Sequence, residues 1–549
     1  MKVFQGQLAR RLTACALSFI AALTVTGGGA TCSAQRQPER IDLDAINRIK
    51  QEELKHSQIM ETVGYLTDVT GPRLTGSPNL RKAQEYVASR LREWGVENVH
   101  LEAWGPFGRG WSLEGFTANM IAPTFTPLIA YPKAWSPGTN GTLRGEVVFL
   151  DAKTPGELAK YKGKLRGKIV LLNPARQVDP NFAPPAQRTS DEVLRKLAEA
   201  KPDAGEPQGL PTSAEWRARA ELSYRKRQMI YSEGAALMLE PGAGDGGTVY
   251  VTAASIPAPP DAPSAERQHP WDLNNPKMIP QAVVAAEQYN RMIRLLSRGV
   301  PVQLEVNIAA RYYDQDPMSY NVIAEIPGTD LKDEVVMVGG SLDSWHAGTG
   351  ATDNAAGAAV ALEVVRLLKS LGLRPRRTVR IGLWSAEEQG AMGSSAYVAA
   401  HFAKRTGDAS DPSAARMELK PEYDKFDSYF NLDYGTGKIR GVYLQGNEAV
   451  RPVFRAWLAP FKEMGADTLT ITGIYSSDQN SFDDVGLPGF EFIRDFMESE
   501  TRTGHTNMDV YDHVLEDDLK QSAIIAASFI YLAAMRDEKL PRKAPPRTR

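Results

Sequence analysis

Cysteine is nearly absent from this chain: 549 residues contain two, Cys15 and Cys32, both near the N-terminus. If the leader around them is removed, no disulfide framework is possible and no thiolate can hold a metal. Excess charge is also missing. A net charge of -2, with no basic stripe, gives no electrostatic footprint for nucleic acid. Long apolar runs are missing too. The longest candidate, 12–25, is broken by Thr and Ser and falls short of the about 20 apolar residues a membrane-spanning helix needs. There are no internal repeats, which excludes solenoids and propellers.

The first 34 residues read as a secretory signal. Lys2, Arg10 and Arg11 form a positive region, 12–25 an apolar region, and Cys32-Ser33-Ala34 small residues before a cut ahead of Gln35. The mature chain is then expected to be secreted or periplasmic. A lipid anchor through Cys32 is the weaker alternative, because Thr31 stands where a smaller residue is expected.

The length suggests two to four domains. Residues from about 40 to 95 carry apolar side chains at helical spacing, with Ser77-Pro78 as a helix start. From about 125 to 305 the texture turns to short apolar runs between turn residues, as in Gly145–Leu150, Gly167–Leu172, Gly234–Leu239 and Thr248–Val251. A polar, proline-punctuated excursion with a charged helix at 191–200 interrupts them. We read this region as an inserted β-rich module. From about 320 on, strands at 335–338, 379–384, 429–432 and 490–493 alternate with helices at 355–371, 394–404, 451–464 and 515–535. That alternation predicts an α/β fold, a mixed sheet flanked by helices on both faces. The expected division is a signal at 1–34, catalytic segments at 35–125 and 306–538, the insertion at 126–305, and a disordered basic tail at 539–549.

In open α/β sheets the functional site lies at the carboxyl ends of the strands. The polar residues expected there are Asp343 and Asp353 after the first strand, Glu387 and Glu388 after the second, Asp433 after the third and His505 after the fourth. Each has an ordinary explanation alone. Asp353-Asn354 could cap the next helix, Glu387-Glu388 could be the acidic first turn of a helix, and Asp433 could be a turn residue. Together they are harder to dismiss, because so many carboxylates on one face repel unless cations lie between them. Oxygen ligands with one imidazole suit zinc, with manganese or cobalt as alternatives.

The segments Leu342–Trp345, Gly348–Asn354, Ser385–Glu388, Asn431–Asp433 and His505-Thr506 resemble the co-catalytic zinc exopeptidases, which include bacterial aminopeptidases and glutamate carboxypeptidases. The resemblance implies the zinc exopeptidase fold, with the insertion as a protease-associated domain, and cleavage of small peptides. It implies that Asp353 bridges two zinc ions, that Glu388 and His505 complete one site, and that Asp433 serves the other. It makes Glu387 the general base, with Asp343 a supporting catalytic residue, and it allows a homodimer.

The sequence departs from that pattern at Ser341, where the family has a histidine ligand; a neutral hydroxyl is a poor substitute. Gln479 and Gly504 also stand where relatives often have histidine. The expected result is one zinc held by Asp353, Glu388 and His505, with the second weak or absent. His346, five residues on, is a possible stand-in, and Arg380, Arg494 and Arg502 could clamp a substrate carboxylate. The competing reading is a non-catalytic, peptide-binding relative. A serine hydrolase is disfavoured, because a nucleophile elbow at Ser341 needs glycine where Asp343 stands.

Overall fold

Side chains in the strand Leu331–Ser341 alternate between two apolar layers. Val336 and Val338 pack into one, Val335 and Met337 into the other. A strand buried on both faces is what a parallel α/β sheet requires. The computed structural model, which describes residues 39–202, 213–263, 266–407, 416–433 and 435–543, builds that sheet from eight strands. Their order is 97–104, 319–326, 377–384, 331–341, 426–431, 489–494, 439–443 and 468–470. The four from 377–384 to 489–494 are mutually parallel, so their carboxyl ends share one edge. The outer pairings are mostly antiparallel.

Helices cover both faces, as expected. Helices Leu43–His56, Pro78–Glu93, Ala356–Ser370 and Glu516–Met535 share the larger core, and Met392–His401 and Gln479–Asp483 contribute to the smaller one. Ser77 caps the Pro78 helix, its hydroxyl accepting from the Leu80 amide. Backbone approach explains the glycines at the site end: a Cβ at Gly340 or Gly357 would lie 2.4 or 2.1 Å from the Leu432 carbonyl.

A second eight-stranded sheet is built from residues 110–313. Its long strands Gly110–Ala122 and Gln303–Tyr313 pair with each other, so the sheet begins and ends outside the 126–305 limits that texture predicts. Four of its strands run parallel, and helices Ala214–Glu233 and Ala286–Ser297 accompany them, so β-rich understates its helical content. The 214–233 helix escapes periodicity because only Lys226 and Ile230 are buried along it. Pairs four residues apart, Glu215–Arg219 and Glu221–Arg225, support it instead. The charged helix closes at Asp191–Ala198.

Thr248–Val251 adds no strand to this sheet. It pairs instead with the loop that carries His505. The stretch expected to be a disordered tail is anchored through Lys543: Leu540 is buried, and the Pro541 carbonyl accepts from Asn447 at 2.7 Å. The predicted signal, 1–34, and positions 544–549 lie outside the described residues. Among the described residues no helix is long and apolar enough to cross a membrane.

Candidate metal centre

Asp353 and Asn354 divide the work that either could do alone. The Asn354 carboxamide oxygen accepts from the Gly357 amide at 3.1 Å and so caps the helix beginning at Ala356. Its Nδ2 donates to the Leu432 carbonyl at 2.9 Å. Asp353 is left to face the strand ends. Its amide donates to Asp509, whose carboxylate also accepts from the Thr352 amide and hydroxyl. Arg73, fully buried, fixes the loop before it, donating to the carbonyls of Leu342, Thr349 and Gly350, each at 2.8 Å.

Glu387 and Glu388 lie before the helix that starts at Met392, not in its first turn. Asp343 holds them. One of its oxygens accepts from the Glu387 amide at 3.2 Å, and the other from the Glu388 amide at 3.3 Å and the Thr75 hydroxyl at 3.0 Å. Thr75 in turn accepts from the Ala386 amide. Asp343 therefore grips the backbone beneath the two glutamates.

His505 completes the arrangement. Its Nε2 lies 3.1 Å from Asp353 Oδ2 and 3.1 Å from Glu388 Oε2. One ligand atom from each of the three residues falls within 4.8 Å of the others. Ligand atoms around a tetrahedral ion with bonds of about 2.1 Å stand about 3.4 Å apart, so the set fits a small divalent cation. Apart from the His505 ring, Asp353 Oδ2 is buried without a hydrogen-bond donor, a setting that suits a cation.

Charge at the site tells the same story. Burial raises the half-buried Glu387 well above the ordinary carboxylate range, and Asp433, Asp478 and Glu388 add repulsion. Glu388 is raised to about 8 by burial and by Asp353. Burial alone would lower the His505 imidazole, but Glu388 and Asp353 outweigh it and lift it well above its usual value.

Asp433 does not join the three. Its carboxylate accepts from the Ser341 hydroxyl at 3.5 Å and from the Ser477 hydroxyl. Asn354 Nδ2 donates to Ser341 Oγ at 3.0 Å, so hydroxyl and amide partners surround Ser341. His346 is no replacement: it is buried, its Nε2 lies 2.7 Å from the Pro132 carbonyl, and burial lowers it to about 4. Of the three arginines, Arg380 is engaged elsewhere by Glu325 and Glu422, and Arg502 pairs with Glu498. Only Arg494 reaches the site, its Nη1 lying 3.4 Å from the Asp433 carbonyl.

Sequence reasoning missed Arg73, Thr75 and Asp509. Arg73 and Thr75 lie in a loop that reads as a turn; a buried arginine serving carbonyls across more than 260 positions has no local signature. Asp509 is four residues after His505, and its proximity is the one available signal.

The raised carboxyls make a testable prediction for the metal-free protein. Glu388 at about 8, Asp509 at about 7 and Asp343 at about 6 each retain a proton that the unfolded chain releases. Stability from such a group is full below its unfolded pKa and is lost as pH rises through the folded value. His505 acts in the same sense. His346, lowered, opposes it with one proton in the acid part of the window. The chelated protein's Tm should therefore fall between about pH 5 and pH 8, and added metal should reverse much of the fall. A chelated Tm that rises across this range would remove the account.

Comparison with known proteins gives a consistent result. Residues 321–530 match the model of peptidase family M28. Mouse (Mus musculus) carboxypeptidase Q is 28% identical over 488 residues, covering 88% of this chain and 87% of its own. Human (Homo sapiens) carboxypeptidase Q is 26% identical over 484 residues, with 88% and 86% covered. The structure of a peptidase M28 precursor from Shewanella amazonensis shares the fold, with a TM-score of 0.62 and 22% identity over 92% of this chain and 99% of that one. A zinc aminopeptidase from Bacillus subtilis does so at a TM-score of 0.52 and 19% identity, with 87% and 95% covered. The match over residues 321–530 and the carboxypeptidase Q relatives support a metallo-exopeptidase similar to those of peptidase family M28.

Proposed function

We propose that this protein is a secreted, zinc-dependent exopeptidase of small peptides that works with one firmly held ion. The observation that carries the reading is the cluster of Asp353, Glu388 and His505 beside Glu387. Zinc held there supplies Lewis acidity toward a peptide carbonyl and lowers the pKa of water toward neutrality. Glu387 is the general base: one carboxylate oxygen takes the proton of the attacking water and passes it to the leaving amine. Asp343 keeps Glu387 and Glu388 in register through their amides. Asp433, with Ser341 where an imidazole is needed, offers a second ion only a weak site. The second sheet is the inserted protease-associated-like module, and a homodimer is the expected assembly.

Zinc content and hydrolysis of dipeptides and aminoacyl chromophores, with and without chelator, test the proposal. One zinc per chain with chelator-sensitive cleavage supports it; a folded protein with neither zinc nor cleavage overturns it. The Ser341→His variant tests the second site. With the imidazole restored beside Asp433, zinc should rise from near one toward two per chain by elemental analysis. A count that stays at one would mean that Asn354 and Ser477 hold Asp433 in a shape that rejects the ion.

A further inference from the structure

The segment Val249–Val251 belongs by sequence to the second sheet's region, yet its backbone serves the metal centre. The Val251 amide donates to the His505 carbonyl at 2.9 Å, and the Val249 amide donates to the Asn507 side-chain oxygen at 2.7 Å. The Asn507 amide donates back to the Val249 carbonyl at 3.3 Å, and Tyr250 and Thr506 form an antiparallel bridge. Within this clasp the Tyr250 hydroxyl lies 3.1 Å from His505 Nδ1, with the two rings tilted and their centroids 5.5 Å apart. The Trp345 ring stands edge-on to the imidazole on another side, 6.0 Å away. His505 needs the support, since its backbone is left-handed at φ +57°, a region a non-glycine residue occupies only when its surroundings hold it there.

We propose that Tyr250 is a positioning residue of the metal centre, through which the second-sheet region sets the orientation and tautomer of His505. The imidazole has two nitrogens with separate tasks. Nε2 faces Asp353 and Glu388 and must present a lone pair to a cation; Nδ1 must then carry the proton and find an acceptor. The Tyr250 hydroxyl, 3.1 Å away, is placed to accept from that nitrogen. A hydrogen bond at the far nitrogen fixes the ring and raises the basicity of the ligating one, and its loss typically weakens metal binding by about 10- to 100-fold. Tyr250 takes no part in the chemistry. The consequence is that the ligand set is not complete within the catalytic sheet: one ligand is aimed by a residue more than 250 positions earlier in the chain.

This inference rests on the reading of His505 as a zinc ligand. The test is zinc affinity by competition with a chelator, alongside the Tm of the chelated protein, for the parent chain, Tyr250→Phe and Tyr250→Leu. The phenylalanine keeps the ring against the imidazole and leaves the backbone clasp untouched, so the chelated Tm should match the parent within a degree or two. Zinc affinity should nonetheless fall by about tenfold or more, and the leucine variant should lose no less. Parent-like zinc affinity in Tyr250→Phe overturns the positioning role while leaving the metal site intact. Equal losses of chelated Tm and zinc affinity overturn it as well, because Tyr250 is then a packing residue. If the parent itself binds no zinc, the proposed function fails first and this inference with it.

Discussion

Replacing Glu387 with Gln should lower kcat for dipeptide hydrolysis by roughly 10³-fold, within the 10²- to 10⁴-fold range typical of a lost general base. Zinc content should stay at the parental level. The amide preserves the shape of the side chain and removes its capacity to take a proton. Metal retention is expected because Glu387 is not among the three residues that converge on the cation position. The backbone around it should also persist, since Asp343 grips the amides of residues 387 and 388, not the Glu387 carboxylate. One fewer buried acid should make the chelated variant as stable as the parent or more so, because Glu387 is raised by burial and by repulsion from Asp433 and Asp478. KM should change little. Activity within tenfold of the parent, with zinc bound, would assign the proton transfer to another group.

The contrast between Glu387 and Asp343 shows how far the sequence could be read. Both lie at ends of adjacent parallel strands, and apolar runs ending in acids were enough to place them there. The α/β architecture was legible for the same reason: strands buried on both faces, alternating with long helices, leave few other solutions. What the sequence did not disclose is direction. Asp343 points to backbone amides, Asp353 toward Glu388 and His505, and Asp433 to two serine hydroxyls. These choices depend on partners distant in the chain, such as Thr75 for Asp343 and Asp509 for the Asp353 amide. The region of the second sheet was legible as a change of texture, but the strands that open and close that sheet were not. A 13-residue strand at 110–122 and its partner at 303–313 alternate between faces too weakly to announce a sheet. The Val249–Val251 segment was read correctly as extended and wrongly as part of a sheet, because extended backbone does not reveal its partner.

Replacing Asp353 with Asn should reduce zinc binding more than any other single change at the site. Asp353 supplies a ligand oxygen and a formal charge, and its Oδ2 is buried without a hydrogen-bond donor, so nothing but a cation or the His505 imidazole balances it. The carboxamide is nearly the same size but brings no charge and a weaker ligand oxygen. Half of its rotamers would aim an NH₂ group at the cation position. Glu388 and His505 alone leave two protein ligands where a catalytic zinc site ordinarily has three. Zinc should therefore fall well below one per chain at concentrations that saturate the parent, and peptide hydrolysis should fall with it. The decisive measurement is thermal. In the parent, zinc should raise Tm by binding the folded state, as the linkage between ligand binding and folding requires. In Asp353→Asn that rise should vanish, while the chelated proteins unfold within a few degrees of each other. The fold at this point is held by Asn354, Thr352 and Arg73, none of which uses the Asp353 carboxylate. A variant whose Tm still climbs with zinc as the parent's does would move the ion away from Asp353 and dissolve the site proposed here.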